Sequence, residues 1–224
     1  MTQRLCALLL ALACGWGVHA AAGGHADTLG EAEIARLAEL SFQALPLAGA
    51  VGMVAAREPA WPFQARPDAV DARQLACVRA RMDEDHLRQA LLERTRRHAR
   101  ADPEGMRDGL RFLEDDGAKL FREIMTRSVS AAADGHALDV QALEASAPAQ
   151  QRQALLTLLV DRRYRPLRAL FGMPEQSRHD HDTGLASGAA MVKVLLAPVL
   201  LDALEACAVP LSAFDDPGPA AARP

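Results

Sequence analysis

The chain has 224 residues, 50% of them hydrophobic, and its 25 basic side chains are outnumbered by 29 acidic ones. The formal net charge of −4 excludes general binding to nucleic acid, because a protein that displaces phosphate counterions needs a basic surface. A chain of this length and hydrophobic content buries one core without a metal or a dense disulfide framework, so we expect a single domain.

Residues 1–20 have the pattern of a signal peptide. Arg4 provides a positive start, and the apolar run Leu5–Ala13 is too short to span a bilayer. The small residues Val18 and Ala20 match the motif that signal peptidases cut, so we predict cleavage after Ala20 and export to the periplasm. Two alternatives remain open, namely secretion from the cell and a lipid anchor on Cys14. Residues 21–27 are expected to be flexible.

Removal of residues 1–20 changes both the charge and the cysteine count. The Lys plus Arg count falls by one, from 25 to 24, while all 29 acidic residues remain, so the net charge becomes about −5. Cys77 and Cys207 are then the only cysteines, and an oxidising periplasm favours pairing of such a set. We therefore predict a Cys77–Cys207 disulfide, with two buried free thiols as the alternative.

Apolar residues at three- and four-residue spacing predict an all-α fold, a bundle of about six helices over residues 28–210. Thr28 and Glu31 have the spacing of a capping box, which predicts a first helix over residues 28–45. The segment 46–67 is rich in proline and glycine, and we expect a buried loop or a short helix there.

Two capping signals predict a helical hairpin in the middle of the chain. Asp83 begins a helix that ends among arginines, where cations offset the negative end of the helix dipole. Asp102, followed by Pro103, is typical of an N-cap and a first helical residue, and predicts a second helix that continues to Met125. The loop between the two helices is very short, so they should pack as antiparallel partners.

Three further helices are predicted in the last third of the chain. One covers residues 151–164, with Leu155, Leu156, Leu159 and Val160 as its apolar positions. Pro166 then begins a short helix that ends at Gly172.

The last predicted helix runs from Asp182 or Thr183 to about Cys207, with a kink near Pro198. Its stretch 185–201 is very apolar, but Lys193 and Pro198 favour a buried central helix over a membrane span. Residues 211–224 are predicted to form a disordered tail.

Two groups of side chains are candidates for binding chemistry. The run His179, Asp180, His181 and Asp182 offers nitrogen and oxygen ligands for a divalent metal, although a solvated loop that caps the next helix explains the same residues. No other cofactor is predicted.

The second group consists of arginines near predicted helix carboxyl ends, where cations offset the dipole. The alternative is an anionic partner, such as lipid headgroups, held by guanidinium forks. The residues proposed for this anion site are Arg94, Arg97, Arg162 and Arg163.

Residues 83–125 resemble a family of exported bacterial helical proteins described as a domain of unknown function. The family pattern is a capped helix followed by a Phe-Tyr pair and then Gly-x-Lys. The matching residues are Asp102-Pro103-Glu104, Phe112-Leu113 and Gly117-Ala118-Lys119, with Leu113 standing where the family has tyrosine. The resemblance implies an exported α-helical bundle and assigns no catalytic residue.

No motif for nucleophilic, phosphate-binding or dinucleotide-binding chemistry is present. The sequence therefore favours an exported, envelope-associated protein that binds an envelope protein or ligand, and that meets the membrane only through a lipid anchor or surface contact. Two other functions remain open. One is a metal-dependent or hydrolytic enzyme that uses His179 and His181. The other is a carrier for an apolar ligand held between Met53, Trp61 and the 185–201 helix.

Overall fold

A computed structural model describes residues 28–134, 136, 138–173 and 183–214 of the chain. All regular secondary structure in these ranges is helical, which confirms the all-α prediction. The predicted signal peptide with its cleavage site and Cys14, residues 21–27, and the candidate metal ligands at 179–182 lie outside the described residues.

Ten α-helices occur in the described ranges, more than the six expected. They are α1 Glu31–Ala44, α2 Leu47–Arg57, α3 Ala72–Ala80, α4 Glu84–Ala101, α5 Pro103–Glu114, α6 Ala118–Ala133, α7 Val140–Ser146, α8 Ala149–Val160, α9 Arg165–Leu170 and α10 Thr183–Ala206. The number rises partly because α7, which is capped by Asp139, lies in a segment for which no helix was predicted.

The predicted helix from Asp102 to Met125 is two helices rather than one. Asp102 caps α5 as expected, with its carboxylate 2.9 Å from the Gly105 amide. The chain then turns at Asp115, whose carboxylate accepts a hydrogen bond from the Gly117 amide at 3.1 Å. A Cβ atom on Gly117 would lie 2.6 Å from the Cβ of Ala154, so glycine allows the start of α6 to lie directly against α8.

The first helix also begins later than predicted. Its first residue is Glu31, and the carboxylate of Glu33, rather than Glu31, accepts a hydrogen bond from the amide of the capping residue Gly30 at 2.9 Å. From this start α1 packs along α4 and α5, while α10 packs on α4 and α3. The core between these helices includes fully buried side chains such as Leu37, Met106 and Leu113.

Helix α9 lies unusually close to α5. A Cβ atom on Gly105 would be 2.6 Å from Cγ of Pro166, and one on Gly109 would be 3.3 Å from the side chain of Leu167. These glycines are four residues apart and share one side of α5, so they form a flat face for the short helix. The α5–α9 contact thereby fixes the 3-10 turn Arg162–Tyr164, which joins α8 to α9.

The Cys77–Cys207 disulfide is present, as predicted, with 5.9 Å between the two Cα atoms. It joins α3 to the residue after α10. Within α10, Met191, Leu195, Val199 and Ala203 form a buried stripe at four-residue spacing. The opposite side exposes apolar residues such as Leu201, so the described part of α10 is buried on one side only.

The ordered chain extends beyond the predicted boundary at residue 210. Residues Leu211–Phe214 form a 3-10 turn, in which the Phe214 ring lies 5.0 Å from that of Phe63. Arg66 also donates a hydrogen bond to the Ser212 carbonyl at 3.0 Å. The predicted tail, 211–224, is therefore packed on the core over its first four residues.

Among the described helices, no single one is long and apolar enough to cross a bilayer. Helices α1 and α2 meet the length and composition criteria together, but they are bent by 42° relative to each other.

Candidate functional site

The metal hypothesis concerns residues that the structure does not describe. His179, Asp180, His181 and Asp182 all fall in the gap between residues 173 and 183. Across the described ranges, no group of three or more His, Cys, Asp or Glu residues is arranged to hold a metal ion. The metal site and the enzyme that it would support therefore remain predictions.

Arg94, the first predicted anion ligand, stabilises a neighbouring helix. Its Nε and Nη2 atoms donate hydrogen bonds to the carbonyls of Leu170 and Ala169, at 2.8 and 2.6 Å. These carbonyls belong to the last turn of α9, where the helix supplies no amide four residues further on, although the Ala169 carbonyl also accepts a hydrogen bond from the Gly172 amide at 3.1 Å. Arg94 thus covers the carboxyl end of α9, whereas the sequence suggested a role at the end of its own helix.

The arginines beside Arg94 differ in their partners. Arg96 forms ion pairs with Glu31 and Glu93, and its pKa is raised chiefly by the hydrogen bond to Glu31. The pKa of Arg94 is lowered, first by burial and then by repulsion from Arg97. Arg97 has no ion pair or hydrogen bond in the described part of the chain. Positive charge near Arg94 and Arg97 is therefore not balanced by a neighbouring acid.

Asp161 organises the second arginine group. Its carboxylate accepts hydrogen bonds from the Arg163 amide at 2.9 Å and from Nη2 of Arg163 at 2.8 Å, and these bonds lower the pKa of Asp161. Arg168 donates to the carbonyls of Leu158 and Asp161, both at 2.7 Å, and so covers the carboxyl end of α8.

Arg162 is exposed, as Arg163 and Arg165 are, but it differs from Arg163 in its contacts. No ion pair or hydrogen bond to its side chain occurs among residues 28–134, 138–173 and 183–214, whereas its neighbour Arg163 is paired with Asp161. The four predicted anion ligands thus form two adjacent pairs, Arg94 with Arg97 and Arg162 with Arg163. In each pair, one arginine is held by the fold and one is available.

Helix α8 presents an apolar side to solvent, which the sequence analysis did not anticipate. Leu155 and Leu158 are buried, whereas Leu156, Leu159 and Val160 keep 52%, 48% and 52% of their surface exposed. At helical spacing the three exposed residues lie on one side of α8. Of the four apolar positions that the sequence assigned to this helix, Leu155 is buried, whereas Leu156, Leu159 and Val160 face solvent.

Arginines border this apolar patch at both ends. Arg152, one turn before Leu156, is exposed and donates to the Ala147 carbonyl at 2.6 Å. Arg162 follows Val160 by two residues. We define the α8 surface as Arg152, Leu156, Leu159, Val160 and Arg162.

The sequence segment that carries the α8 surface has a net charge opposite to that of the whole chain. Residues 145–173 contain Asp161 as their single acid, against arginines at 152, 162, 163, 165 and 168. The segment therefore carries a net charge of about +4 by the count of its side chains, in a chain of net charge −4. An apolar patch with this basic border favours contact with an anionic partner.

Elsewhere on the described surface, arginine side chains line two clefts. One lies between α1 and α4, where the Arg88 guanidinium stacks 4.3 Å from the centre of the Phe42 ring. Arg88 is neutralised there by ion pairs with Glu39 and Glu84. The other lies between α4 and α10 and is lined by Arg94 and Arg97.

The carrier hypothesis placed an apolar ligand near Met53 and Trp61. Both side chains are partly buried, and Trp61 packs against the core. Neither residue lines the α1–α4 cleft or the α4–α10 cleft. The carrier hypothesis remains a prediction.

Comparison with known proteins adds no family to this geometry. No protein-family model matches the sequence, and the searches of curated proteins and of solved structures give no significant match.

Proposed function

We propose that this protein is an exported, envelope-associated binding protein that attaches to anionic lipid headgroups through the α8 surface. The observation that carries the proposal is the set of three half-exposed apolar side chains between two exposed arginines. Such a surface matches a membrane interface, where apolar acyl chains lie beneath a layer of negatively charged headgroups.

The expected strength of attachment follows from the residues. Burying the exposed half of Leu156, Leu159 and Val160 contributes about 1 kcal/mol each, because complete burial of such side chains contributes roughly 1.5–3 kcal/mol. Arg152 and Arg162 each contribute about 1 kcal/mol near an anionic leaflet. The resulting total of about 5 kcal/mol predicts weak, reversible attachment, comparable to that of one myristoyl chain.

Vesicle co-sedimentation tests this proposal. We expect the mature protein to bind vesicles that contain phosphatidylglycerol and not vesicles of phosphatidylcholine alone, with binding that weakens as salt is raised. The variant with Leu156→Ser and Leu159→Ser should lose binding, as should the variant with Arg152→Glu and Arg162→Glu.

A matched control changes the same charge at another site. Arg73 in the first turn of α3 and Arg81 just after its end are exposed and form no ion pair in the described ranges, so Arg73→Glu with Arg81→Glu should leave most of the binding intact. Equal loss in the control would mean that net charge alone drives binding. That result, or a wild-type protein that binds neither kind of vesicle, would refute the role of the α8 surface.

Export is tested separately by the intact mass of the protein recovered from the periplasm. Cleavage after Ala20 predicts a chain that begins at Ala21. The Cys77–Cys207 disulfide should make this chain two hydrogens lighter than its reduced form. A lipid-modified chain that begins at Cys14 would replace this prediction with the lipoprotein alternative.

A further inference from the structure

The solvent-facing side of α10 carries a row of apolar residues. We define the α10 row as Val194, Ala197, Pro198 and Leu201, all of which are exposed. Val194 and Leu201 keep 42% and 51% of their surface accessible. Spacings of three and four residues put the row on one side of the helix, away from the buried stripe. A contiguous apolar patch of this kind is typical of an interaction surface, whereas single exposed apolar residues are ordinary.

Charged residues of opposite sign stand at the two ends of the α10 row. Lys193 precedes the row, whereas Asp202 and Glu205 follow it, and all three are exposed. None of them forms an ion pair or a side-chain hydrogen bond with another residue in the described ranges. The row therefore has a basic end and an acidic end, and the described part of the chain balances neither.

This arrangement is complementary to itself when two copies pack antiparallel. Lys193 and Asp202 are nine residues apart, about 13.5 Å along the helix axis, with residues 197–198 midway between them. A two-fold axis at that midpoint sets Lys193 of one copy level with Asp202 of the other. The same axis sets Val194 level with Leu201. A parallel arrangement would instead place lysine beside lysine and acid beside acid, so the charges favour the antiparallel one.

We propose that α10 is the contact surface of a two-fold symmetric homodimer, in which the α10 rows of two copies pack antiparallel and Lys193 of each copy pairs with the acidic end of the other. The apolar row accounts for the attraction between the copies, and the charges account for their direction. A second copy fits both features, because a two-fold interface must be complementary to itself. This dimer does not depend on the proposed contact between α8 and lipid, which uses a different helix.

Sedimentation equilibrium of the mature protein tests the proposal. A standard interface buries about 800 Å² per partner, and one side of a single helix buries less, so we expect a weak dimer with a Kd of roughly 10–100 μM. Added salt should weaken the dimer, because it screens the pairing of the charged ends. A protein that stays monomeric at about ten times this concentration, or a dimer that strengthens with salt, would overturn the proposal.

Two matched leucine variants locate the contact. Leu201→Ser should weaken the dimer at least about tenfold, because each copy loses one apolar side chain from the interface. Leu156→Ser on α8 is the control, since Leu156 keeps 52% of its surface exposed and Leu201 keeps 51%. The control should dimerise like the wild type, and both variants should keep the wild-type urea midpoint because neither residue is buried. Equal weakening in the two variants would contradict the assignment to α10.

Charge exchange tests the antiparallel direction. Lys193→Glu should weaken the dimer, and so should Asp202→Lys with Glu205→Lys, because each change brings like charges together at both ends. A mixture of these two variants should restore a heterodimer, in which every charged end meets its opposite. In the wild type, carbodiimide crosslinking of an isotope-labelled copy with an unlabelled one should join Lys193 to Asp202 or Glu205 between copies. No heterodimer in the mixture, or crosslinks between copies only at other residues, would refute the arrangement.

Discussion

The contact between α5 and α9 makes a sharp prediction for Gly105→Ala. The new Cβ atom would lie 2.6 Å from Cγ of Pro166 and 3.0 Å from Oδ2 of Asp102. Non-bonded carbon atoms prefer about 3.5–4.0 Å, so α9 must move by about 1 Å or α5 must shift. The proline ring cannot rotate away as a flexible side-chain end could.

The magnitude follows from two opposing effects. Overpacking a tight interface costs about 1–3 kcal/mol, whereas replacing glycine by alanine in a helix gains up to about 1 kcal/mol. We therefore expect Gly105→Ala to lower the free energy of unfolding by about 1–2 kcal/mol. Gly52→Ala in α2 is the control, because no atom lies within 4 Å of its new Cβ, and it should stabilise the protein by about 0.5–1 kcal/mol.

Urea unfolding followed by far-UV circular dichroism measures both effects. With a denaturant slope of about 2 kcal/mol per molar urea, Gly105→Ala should lower the midpoint by about 0.5–1 M. Gly52→Ala should raise the midpoint slightly. A midpoint for Gly105→Ala equal to or above that of the wild type would show that α9 does not press on α5 as described.

Three further predictions concern the disulfide, one histidine and one helix. The double variant C77A/C207A should unfold with a free energy lower by up to about 5 kcal/mol in chemical denaturation, because the bridge closes a loop with a sequence separation of 130 residues. The pKa of His98 is lowered in the folded protein, so the free energy of unfolding should decrease as pH falls below the ordinary histidine value of 6.5. His98→Gln should therefore make the urea midpoint depend less on pH between about pH 7 and pH 5. Leu158→Ala should cost about 2–5 kcal/mol at a fully buried position, whereas Leu159→Ala should change the midpoint little and weaken vesicle binding.

Structural features that depend on residues close together in the chain could be predicted from the sequence. Asp83 and Asp102 cap α4 and α5 as their spacing predicts, because an N-cap bond depends only on residues within the first turn. The turn at Asp115 was missed, since apolar residues continue at helical spacing on both sides of it. Periodicity shows which residues share a side, but it does not show whether the backbone turns between them.

For a related reason, the sequence could not predict which side of α8 faces the core. Its apolar residues surround much of the helix, so the sequence does not indicate which of Leu155, Leu156, Leu158 and Leu159 faces the core. The answer depends on where α6 lies, and Gly117 places α6 against Ala154. This contact selects Leu155 and Leu158 as buried residues and leaves the other side exposed.

Two explanations were open for the arginines, namely that they cover helix carboxyl ends and that they bind an anionic partner. Both can hold within one group of arginines. Arg94 and Arg168 donate to carbonyls at the ends of α9 and α8, and these are local structural roles. Arg97 and Arg162 have no ion pair or hydrogen bond in the described ranges, although they lie in the same two runs of sequence. Charge reversal at Arg168 should therefore reduce stability, while charge reversal at Arg162 should reduce binding to anionic vesicles and leave the unfolding midpoint unchanged.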